Sequence, residues 1–217
     1  LQGFWRWQGV PVRAVVDVIA LGANGGSEPR RTEPIKPSKP SLLNIGIVEP
    51  RKNQAFLVAV CDSLWSEGLE FDLHLVGRVN SQFGGPIESQ IRRVGRRRPG
   101  LKLHGAANDG VVARLFAGTS ALAFPTQAEG CGLPLLEALW QGVPCVCSDL
   151  AVLRENADAG GCVTVPVNDL NAWQGALREI LTDTELRSRL AVAACQRPLP
   201  TWAETAQSVC MALARKL

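Results

Sequence analysis

The chain has 217 residues, of which 46% are hydrophobic, and its formal net charge is +3. A chain of this length can form one large domain with a substantial core, and so small a charge does not indicate nucleic-acid binding. No apolar run approaches the roughly 20 residues of a membrane-spanning helix, and the first residues lack the ordered charged and apolar regions of a signal peptide.

Two segments precede the main pattern. Residues 12–21 form one strand-like apolar run, and residues 23–41 contain four prolines, two glycines and mixed charges. The second composition is typical of an extended linker.

Short apolar runs then alternate with helical patterns, which predicts an α/β fold: a Rossmann-like parallel sheet with helices on both faces. The predicted strands lie at 42–48, 71–76, 101–104, 121–124, 144–147 and 162–165. The predicted helices between them lie at 54–65, 87–97, 110–117, 134–140 and 150–155.

The C-terminal part is predicted to be helical. Asn168 or Asp169 is expected to cap a helix that runs to residue 181. Thr182-x-x-Glu185 and Thr201-x-x-Glu204 each match the capping box, in which the two side chains satisfy each other's N–H groups. The last helix is predicted at 202–214.

The stretch Glu129-Gly-Cys-Gly-Leu-Pro-Leu-Leu-Glu137 places two carboxylates eight positions apart around a glycine-rich turn. Pro134 is predicted to begin a helix, since the first helical position needs no N–H donor. The N–H groups of Gly132 and Leu133 would then form a phosphate site at a helix N-terminus, flanked by acids that suit sugar hydroxyls. The alternative is a plain loop with Glu137 in the first turn of the helix, where the dipole favours an acid.

The rim of the predicted sheet is where a ligand is expected, because open parallel sheets bind ligands beyond the carboxyl ends of their strands. Gly46, Gly77, Gly105 and Thr126 all follow predicted strands. The turn between the two glutamates follows the strand at 121–124, so it should lie on this rim as well.

Other chemically active side chains give weaker signals. His74 and His104 lie within short apolar runs, and the seven cysteines form no Cys-x-x-Cys pair. We expect buried structural thiols in a reducing cytoplasm and no metal site. Five arginines between residues 92 and 98 could hold an anionic membrane or an acidic partner, and the alternative is a solvated helix end. The expected location is cytoplasmic, either free or at the inner face of the membrane.

Several blocks occur in a characteristic order, and together they cover about residues 42–215. They are Glu49-Pro-Arg-Lys-Asn53, Leu75-Val-Gly77, Phe124-Pro-Thr126, the glutamate stretch through Ala138, Gly142-Val-Pro144, Ser148-Asp149, Glu155, Gly160 and Trp202. In this order they resemble the C-terminal, donor-binding half of a GT-B retaining glycosyltransferase of family 4.

The resemblance implies three regions. Residues 1–41 would be a remnant of an N-terminal domain plus a Pro-rich linker, residues 42–198 a Rossmann-like nucleotide-sugar-binding domain, and residues 199–217 a C-terminal crossover helix. An acceptor-binding N-terminal GT-B domain would be a required partner, so the isolated chain should bind the donor weakly and transfer little. The last helix would then leave an apolar stripe exposed, including Trp202 and Leu213.

The resemblance also implies site residues. Lys52 and Arg51 would neutralise the diphosphate, with a solvated helix start as the alternative, and Glu129 would contact the sugar hydroxyls. Glu137 would hold the ribose diol. The other implied donor-binding residues are Gly46, Gly77, Arg78, Asn108, Thr126, Gly130, Cys131, Gly132 and Leu133. Of these, Arg78 and the stretch 105–108 would lie near the base, with a surface role equally open.

Two residues depart from the family pattern. Cys131 stands where an aromatic residue is usual, and Ile47 stands where an arginine is often found. The smaller Cys131 side chain is expected to loosen the sugar pocket.

The implied reaction is retaining transfer of a hexose, first of all mannose from GDP-mannose, to a glycan or lipid-linked acceptor. This belongs to surface polysaccharide or lipopolysaccharide biosynthesis. The resemblance implies no cofactor and no tightly bound metal, and no Asp-x-Asp motif occurs. The alternatives are a non-catalytic nucleotide-sugar-binding module that acts with a partner chain, and a GT-B sugar-nucleotide epimerase.

Overall fold

Alternating strands and helices run from residue 41 to residue 196, as the sequence pattern predicts. The computed structural model describes residues 6–9, 17–25 and 29–214. The chain divides into two compact units, one of Ala23–Leu199 and one of the segments Leu1–Gly22 and Pro200–Leu217.

Six parallel strands form a single sheet in the larger unit, which confirms the predicted α/β class. The strands are β1 Ser41–Ile45, β2 Asp72–Val76, β3 Leu101–Gly105, β4 Ala121–Phe124, β5 Cys145–Ser148 and β6 Cys162–Val165. Their order in the sheet is β3-β2-β1-β4-β5-β6, with every neighbouring pair parallel. The order reverses between β1 and β4, so the loops after these two strands flank the position where ligands bind in such sheets.

Helices cover both faces of the sheet, because alternate residues of each strand point to opposite sides. The helices are α1 Gln54–Ser66, α2 Gly85–Gly95, α3 Asp109–Gly118, α4 Leu133–Trp140, α5 Ala151–Ala157, α6 Leu170–Thr182 and α7 Thr184–Gln196. Leu42 belongs to a core with α1, α2 and α6, whereas Leu43 belongs to a second core with α3, α4, α5 and α7.

One predicted helix cap is wrong. Asp183, not Thr182, caps α7, and its carboxylate accepts the N–H groups of Glu185 and Leu186 at 2.9 Å each. Thr182 is the last residue of α6, where its hydroxyl donates to the carbonyl of Arg178 at 2.8 Å. A residue still inside one helix cannot turn its hydroxyl towards the first N–H groups of the next.

Two other cap predictions hold. Of the two candidates before α6, Asp169 is the cap and accepts the N–H of Ala172 at 3.0 Å. Thr201 and Glu204 form the predicted capping box, since the Thr201 hydroxyl accepts the Glu204 N–H at 3.1 Å and the Glu204 carboxylate accepts the Thr201 N–H at 2.7 Å. This box begins α8, Trp202–Ala214.

The segment before the sheet packs along the larger unit although residues 29–40 contain no helix or strand. The side chain of Ala23 is fully buried in the second core. The Arg31 N–H donates to the carbonyl of Trp140 at 3.2 Å, and the Arg30 guanidinium lies 5.4 Å from the ring centroid of the same tryptophan. This part of the predicted linker is therefore fixed to the surface of the sheet unit.

The smaller unit contains α8 and the residues before Ala23. Residues 17–21 contain no strand, so that part of the predicted run at 12–21 is wrong, and residues 12–16 lie outside the described residues. The Thr205 hydroxyl donates to the carbonyl of Ala20 at 2.9 Å. Trp202, Val209, Met211 and Leu213 are all exposed on α8, as expected for an apolar stripe. In the described ranges, no helix is both long and apolar enough to cross a membrane.

Candidate functional site

Glycines allow the loops after β1 and β2 to approach each other closely. A β-carbon on Gly77 would lie 2.0 Å from the carbonyl oxygen of Gly46, so no other residue fits there. The Gly77 N–H donates to the carbonyl of Gly105 at 2.8 Å. The three predicted rim glycines are therefore neighbours at the carboxyl ends of β1, β2 and β3.

A cluster of cations and one acid lies beside these glycines. A 3₁₀ turn at Pro50–Lys52 follows β1, and the Lys52 ammonium forms an ion pair with Oε1 of Glu129. The same oxygen lies 3.4 Å from the Arg51 guanidinium and 3.1 Å from the Thr126 hydroxyl. The side chains of Lys52 and Glu129 are only 11% and 8% exposed, so this Lys52 is not the solvated lysine of the alternative interpretation.

Arg51 ties the turn after β1 to the loop after β4. Its guanidinium donates to the carbonyl of Ala128 at 2.8 Å and to the Glu49 carboxylate at 2.9 Å. Its own carbonyl accepts the N–H of Gln127 at 2.8 Å. Half of the Arg51 side chain stays accessible, so a ligand at this rim can reach it.

The loop between the two glutamates turns into α4 at Gly132. This glycine has φ 78°, and a β-carbon on it would lie 2.7 Å from Cδ2 of Leu153. The helix begins at Leu133, so Pro134 is its second residue rather than the first, which corrects the prediction by one position. Asn156 supports the loop from α5, since its amide donates to the carbonyl of Cys131 at 2.7 Å. Gly130, by contrast, is exposed and has open space around it.

Glu137 lies in the second turn of α4, so the alternative that places it in the first turn is wrong. Burial raises the pKa of its carboxyl, and the negative charge of Asp109 at the start of α3 raises it further. Gly25, in the segment before the sheet, packs directly on the carboxyl group: a β-carbon there would lie 2.7 Å from Cδ and Oε1. Neither Asp109 nor Gly25 stood out in the sequence, because their proximity to Glu137 depends on the fold.

The two residues predicted near the base are less tightly placed. Arg78 is exposed and lines a pocket of about 230 Å³ beside β1 and β2, together with Ile47 and Asn80. The side chain of Asn108 accepts the N–H of Val111 at 3.0 Å and so caps α3. Asn108 could contact a ligand only with the part of its amide that the cap leaves available.

The other chemically active side chains lie apart from this cluster. His74 and His104 hydrogen-bond to each other at 2.9 Å on neighbouring strands, and burial is the main cause that lowers the pKa of both. Cys145 and Cys147 are fully buried. Within the described part of the chain, no three His, Cys, Asp or Glu residues are arranged to hold a metal ion.

Three of the five clustered arginines pair with acids of the same unit. Arg92 lies 2.7 Å from the Glu88 carboxylate, and Arg97 and Arg98 lie 2.5 and 2.7 Å from that of Asp62. These ion pairs neutralise much of the positive charge that would attract an anionic membrane or an acidic partner.

Comparison with known proteins gives a family match and several relatives. Residues 39–183 match the family described as "Glycosyl transferases group 1". The serotype-specific mannosyltransferase WbdA of Escherichia coli is 37% identical over 122 residues, which are 54% of this chain and 14% of that protein. The O-antigen chain mannosyltransferase B of Escherichia coli is 32% identical over 146 residues, 67% of this chain and 38% of that one.

Among solved structures, sucrose-phosphate synthase from Thermosynechococcus elongatus superposes with a TM-score of 0.79 at 19% identity, covering 99% of this chain and 56% of that one. This similarity shows a shared fold. The matched regions thus cover between 14% and 56% of the length of these proteins.

Proposed function

Because the chain belongs to the group 1 glycosyltransferases, we propose that it is the donor-binding part of a retaining hexosyltransferase that uses a nucleotide-sugar. The observation that carries this proposal is the cluster of Lys52, Arg51 and Glu129, which lies where the sheet order reverses. Cations suit the diphosphate of the donor, and a carboxylate suits the hydroxyls of its sugar.

The proposed donor sugar is mannose, carried by GDP, and the proposed acceptor is a glycan or a lipid-linked glycan of a surface polysaccharide. The names of the two Escherichia coli relatives support this choice, since both are mannosyltransferases and one acts on the O-antigen chain. Those proteins are much longer than this chain, so acceptor binding is assigned to sequence that the chain does not contain.

In the proposed reaction, the bond between the anomeric carbon of the sugar and the diphosphate breaks, and the acceptor hydroxyl forms the new glycosidic bond to that carbon. The leaving phosphate, on which negative charge develops, takes up the proton of the acceptor hydroxyl. Lys52 and Arg51 would stabilise that charge, and the N-terminus of α4 would add its dipole. Fixed cations contribute more to the transition state than to the bound donor because the charge grows as the bond breaks. No resident metal is part of the proposal.

Glu129 and Glu137 would then hold the two sugars of the donor. Glu129 lies beside the cations and would accept from hydroxyls of the transferred hexose. Glu137, one turn into α4, would accept from the ribose diol. The backbone of Gly130, Cys131, Gly132 and Leu133 would line the space between them, with Gly46, Gly77 and Thr126 on the same rim of the sheet.

The proposed location is the cytoplasm, where nucleotide-sugars are made. Contact with the inner face of the membrane would rest on Arg93 and Arg96, the two residues of the arginine cluster that are exposed without a described acidic partner.

Nucleotide binding by calorimetry tests the proposed site. GDP, UDP, dTDP and GDP-mannose are titrated into the wild type and into Lys52→Ala and Glu137→Ala. Each substitution removes a charged partner of the ligand, so affinity for the preferred nucleotide should fall roughly 10- to 100-fold. Lys36→Ala, which removes an exposed lysine outside the site, is the matched control. Equal affinity in all four proteins would contradict the proposed site.

A further inference from the structure

The backbone of residues 23–25 packs against the Glu137 side chain. The side chain of Ala23 is fully buried in the core that also contains α4. The N–H of Gly25 donates to the carbonyl of Ala23 at 3.0 Å, which closes a tight turn between them. This turn brings Gly25 onto the Glu137 side chain, so that a β-carbon at position 25 would lie 2.7 Å from Cδ and 2.9 Å from Cγ.

A larger residue at position 25 would conflict with the Glu137 carboxyl group and not with the local backbone conformation. Gly132 requires glycine for its conformation, since its φ is 78°, but the φ of Gly25 lies outside the left-handed region. An alanine could therefore adopt this backbone. The three atoms nearest to the added methyl group would all belong to Glu137.

The packing of Gly25 restricts the rotation of the Glu137 side chain. A glutamate has three rotatable bonds, and fixing them on ligand binding costs conformational entropy. A backbone packed on the carboxyl removes part of that freedom before the ligand arrives, which increases affinity by preorganisation. Asp109 also acts on this carboxyl, since its negative charge repels that of Glu137.

We propose that Gly25 is a positioning residue for the nucleotide site: its backbone closes one side of Glu137 and fixes the direction in which that carboxylate meets the ribose diol of a nucleoside diphosphate. The ribose contact rests on the proposed function of Glu137, whereas the packing of Gly25 on Glu137 is observed in the structure. Gly25 belongs to the predicted linker at residues 23–41, so this proposal makes part of that linker a part of the binding site.

Gly25→Ala tests the proposal, because the three atoms nearest to the added methyl group belong to the Glu137 side chain, which can rotate away and so relieve the overlap without unfolding the protein. GDP and 2′,3′-dideoxy-GDP are titrated into the wild type, Gly25→Ala, Glu137→Ala and the double variant. Gly25→Ala should weaken GDP roughly tenfold and leave the dideoxy nucleotide unchanged. The double variant should bind GDP no more weakly than Glu137→Ala alone, since the glycine acts through the glutamate. Gly175→Ala, which adds a methyl group in open space on α6, is the matched control.

The outcomes separate the two proposals. If Glu137→Ala weakens GDP and Gly25→Ala does not, the positioning role is wrong and the proposed function stands. If Glu137→Ala has no effect on GDP, the ribose role of Glu137 is wrong. If the effects of the two substitutions add in the double variant, Gly25 does not act through Glu137.

A crystal structure of the Gly25→Ala variant tests, independently of nucleotide binding, whether residue 25 fixes the position of the Glu137 carboxyl. The Glu137 carboxyl should move by about 1 Å or more to relieve the overlap, and an unmoved carboxyl would overturn the proposal. Should Gly25→Ala fail to fold, recovery of folding in the double variant supports the contact, and failure of both variants overturns it.

Discussion

In the proposed site, Glu129 would compete with the donor diphosphate for the same cations. Its carboxylate is held by Lys52, Arg51 and the Thr126 hydroxyl, so a phosphate that binds Lys52 must share or replace this acid. Removing one partner of a buried ion pair leaves the other charge uncompensated, and such a cation binds an incoming anion more strongly.

We therefore predict that Glu129→Gln tightens GDP binding roughly 3- to 10-fold. GDP-mannose should gain less, because its hexose hydroxyls would lose a charged acceptor. Calorimetry with both ligands checks this. Glu67→Gln, which changes net charge equally at an exposed ion pair with Arg178, is the control. Unchanged GDP affinity in Glu129→Gln would show that the acid and the phosphate do not compete.

The raised pKa of Glu137 makes stability depend on pH. Folding raises the pKa of this carboxyl, so the native state binds more protons than the unfolded state between the ordinary pKa of a glutamate and the raised value. The contribution of Glu137 to stability therefore falls as pH rises through this interval and is fully unfavourable above it.

Replacement of this residue by an isosteric neutral amide should consequently raise the Tm more at pH 8 than at pH 4, because the unfavourable buried charge forms only as pH rises. Thermal unfolding of wild type and Glu137→Gln at the two pH values measures the difference. Glu70→Gln, at an exposed position, corrects for the change in net charge. A Tm gain of equal size at both pH values would mean that the charge of Glu137 is not the cause.

At the scale of elements, the connection between β4 and α4 depends on one glycine conformation. Gly132→Ala should destabilise the fold by about 1–3 kcal/mol, because alanine is strained at positive φ and its methyl group would meet Leu153. Gly130→Ala, two residues earlier and in open space, should change stability by no more than about 0.5 kcal/mol. Urea unfolding of both variants tests the contrast, and an equal loss in the two would show that the Gly132 turn is not a special requirement.

At the scale of the whole molecule, we predict that the isolated chain binds the donor nucleotide but transfers little sugar. The chain spans 14% and 38% of the two mannosyltransferases it matches, and the acceptor site is proposed to lie outside it. The isolated 217-residue chain should therefore bind nucleotide but release less than about one hundredth of the GDP that a longer protein containing it releases from GDP-mannose with a glycan acceptor. Comparable turnover by the isolated chain would contradict this division.

The amino-acid sequence by itself determined the fold class and the position of the loop between the two glutamates. Apolar runs of strand length that alternate with amphipathic helical patterns can bury their apolar faces only as a parallel sheet between two helix layers. All six strands were predicted for this reason, with ends that differ by a few residues. The sequence also placed Glu129 on the sheet rim, because the loop after a parallel strand has to emerge there.

Only the tertiary structure decided which side chains meet. The pair of Lys52 and Glu129, 77 residues apart, and the packing of Gly25 on Glu137 depend on how loops from distant strands come together. The choice of Asp183 over Thr182 as a cap depended on where α6 ends. Periodicity reports which face of an element is buried, but contacts between distant loops follow from packing and chain direction, which no local pattern records.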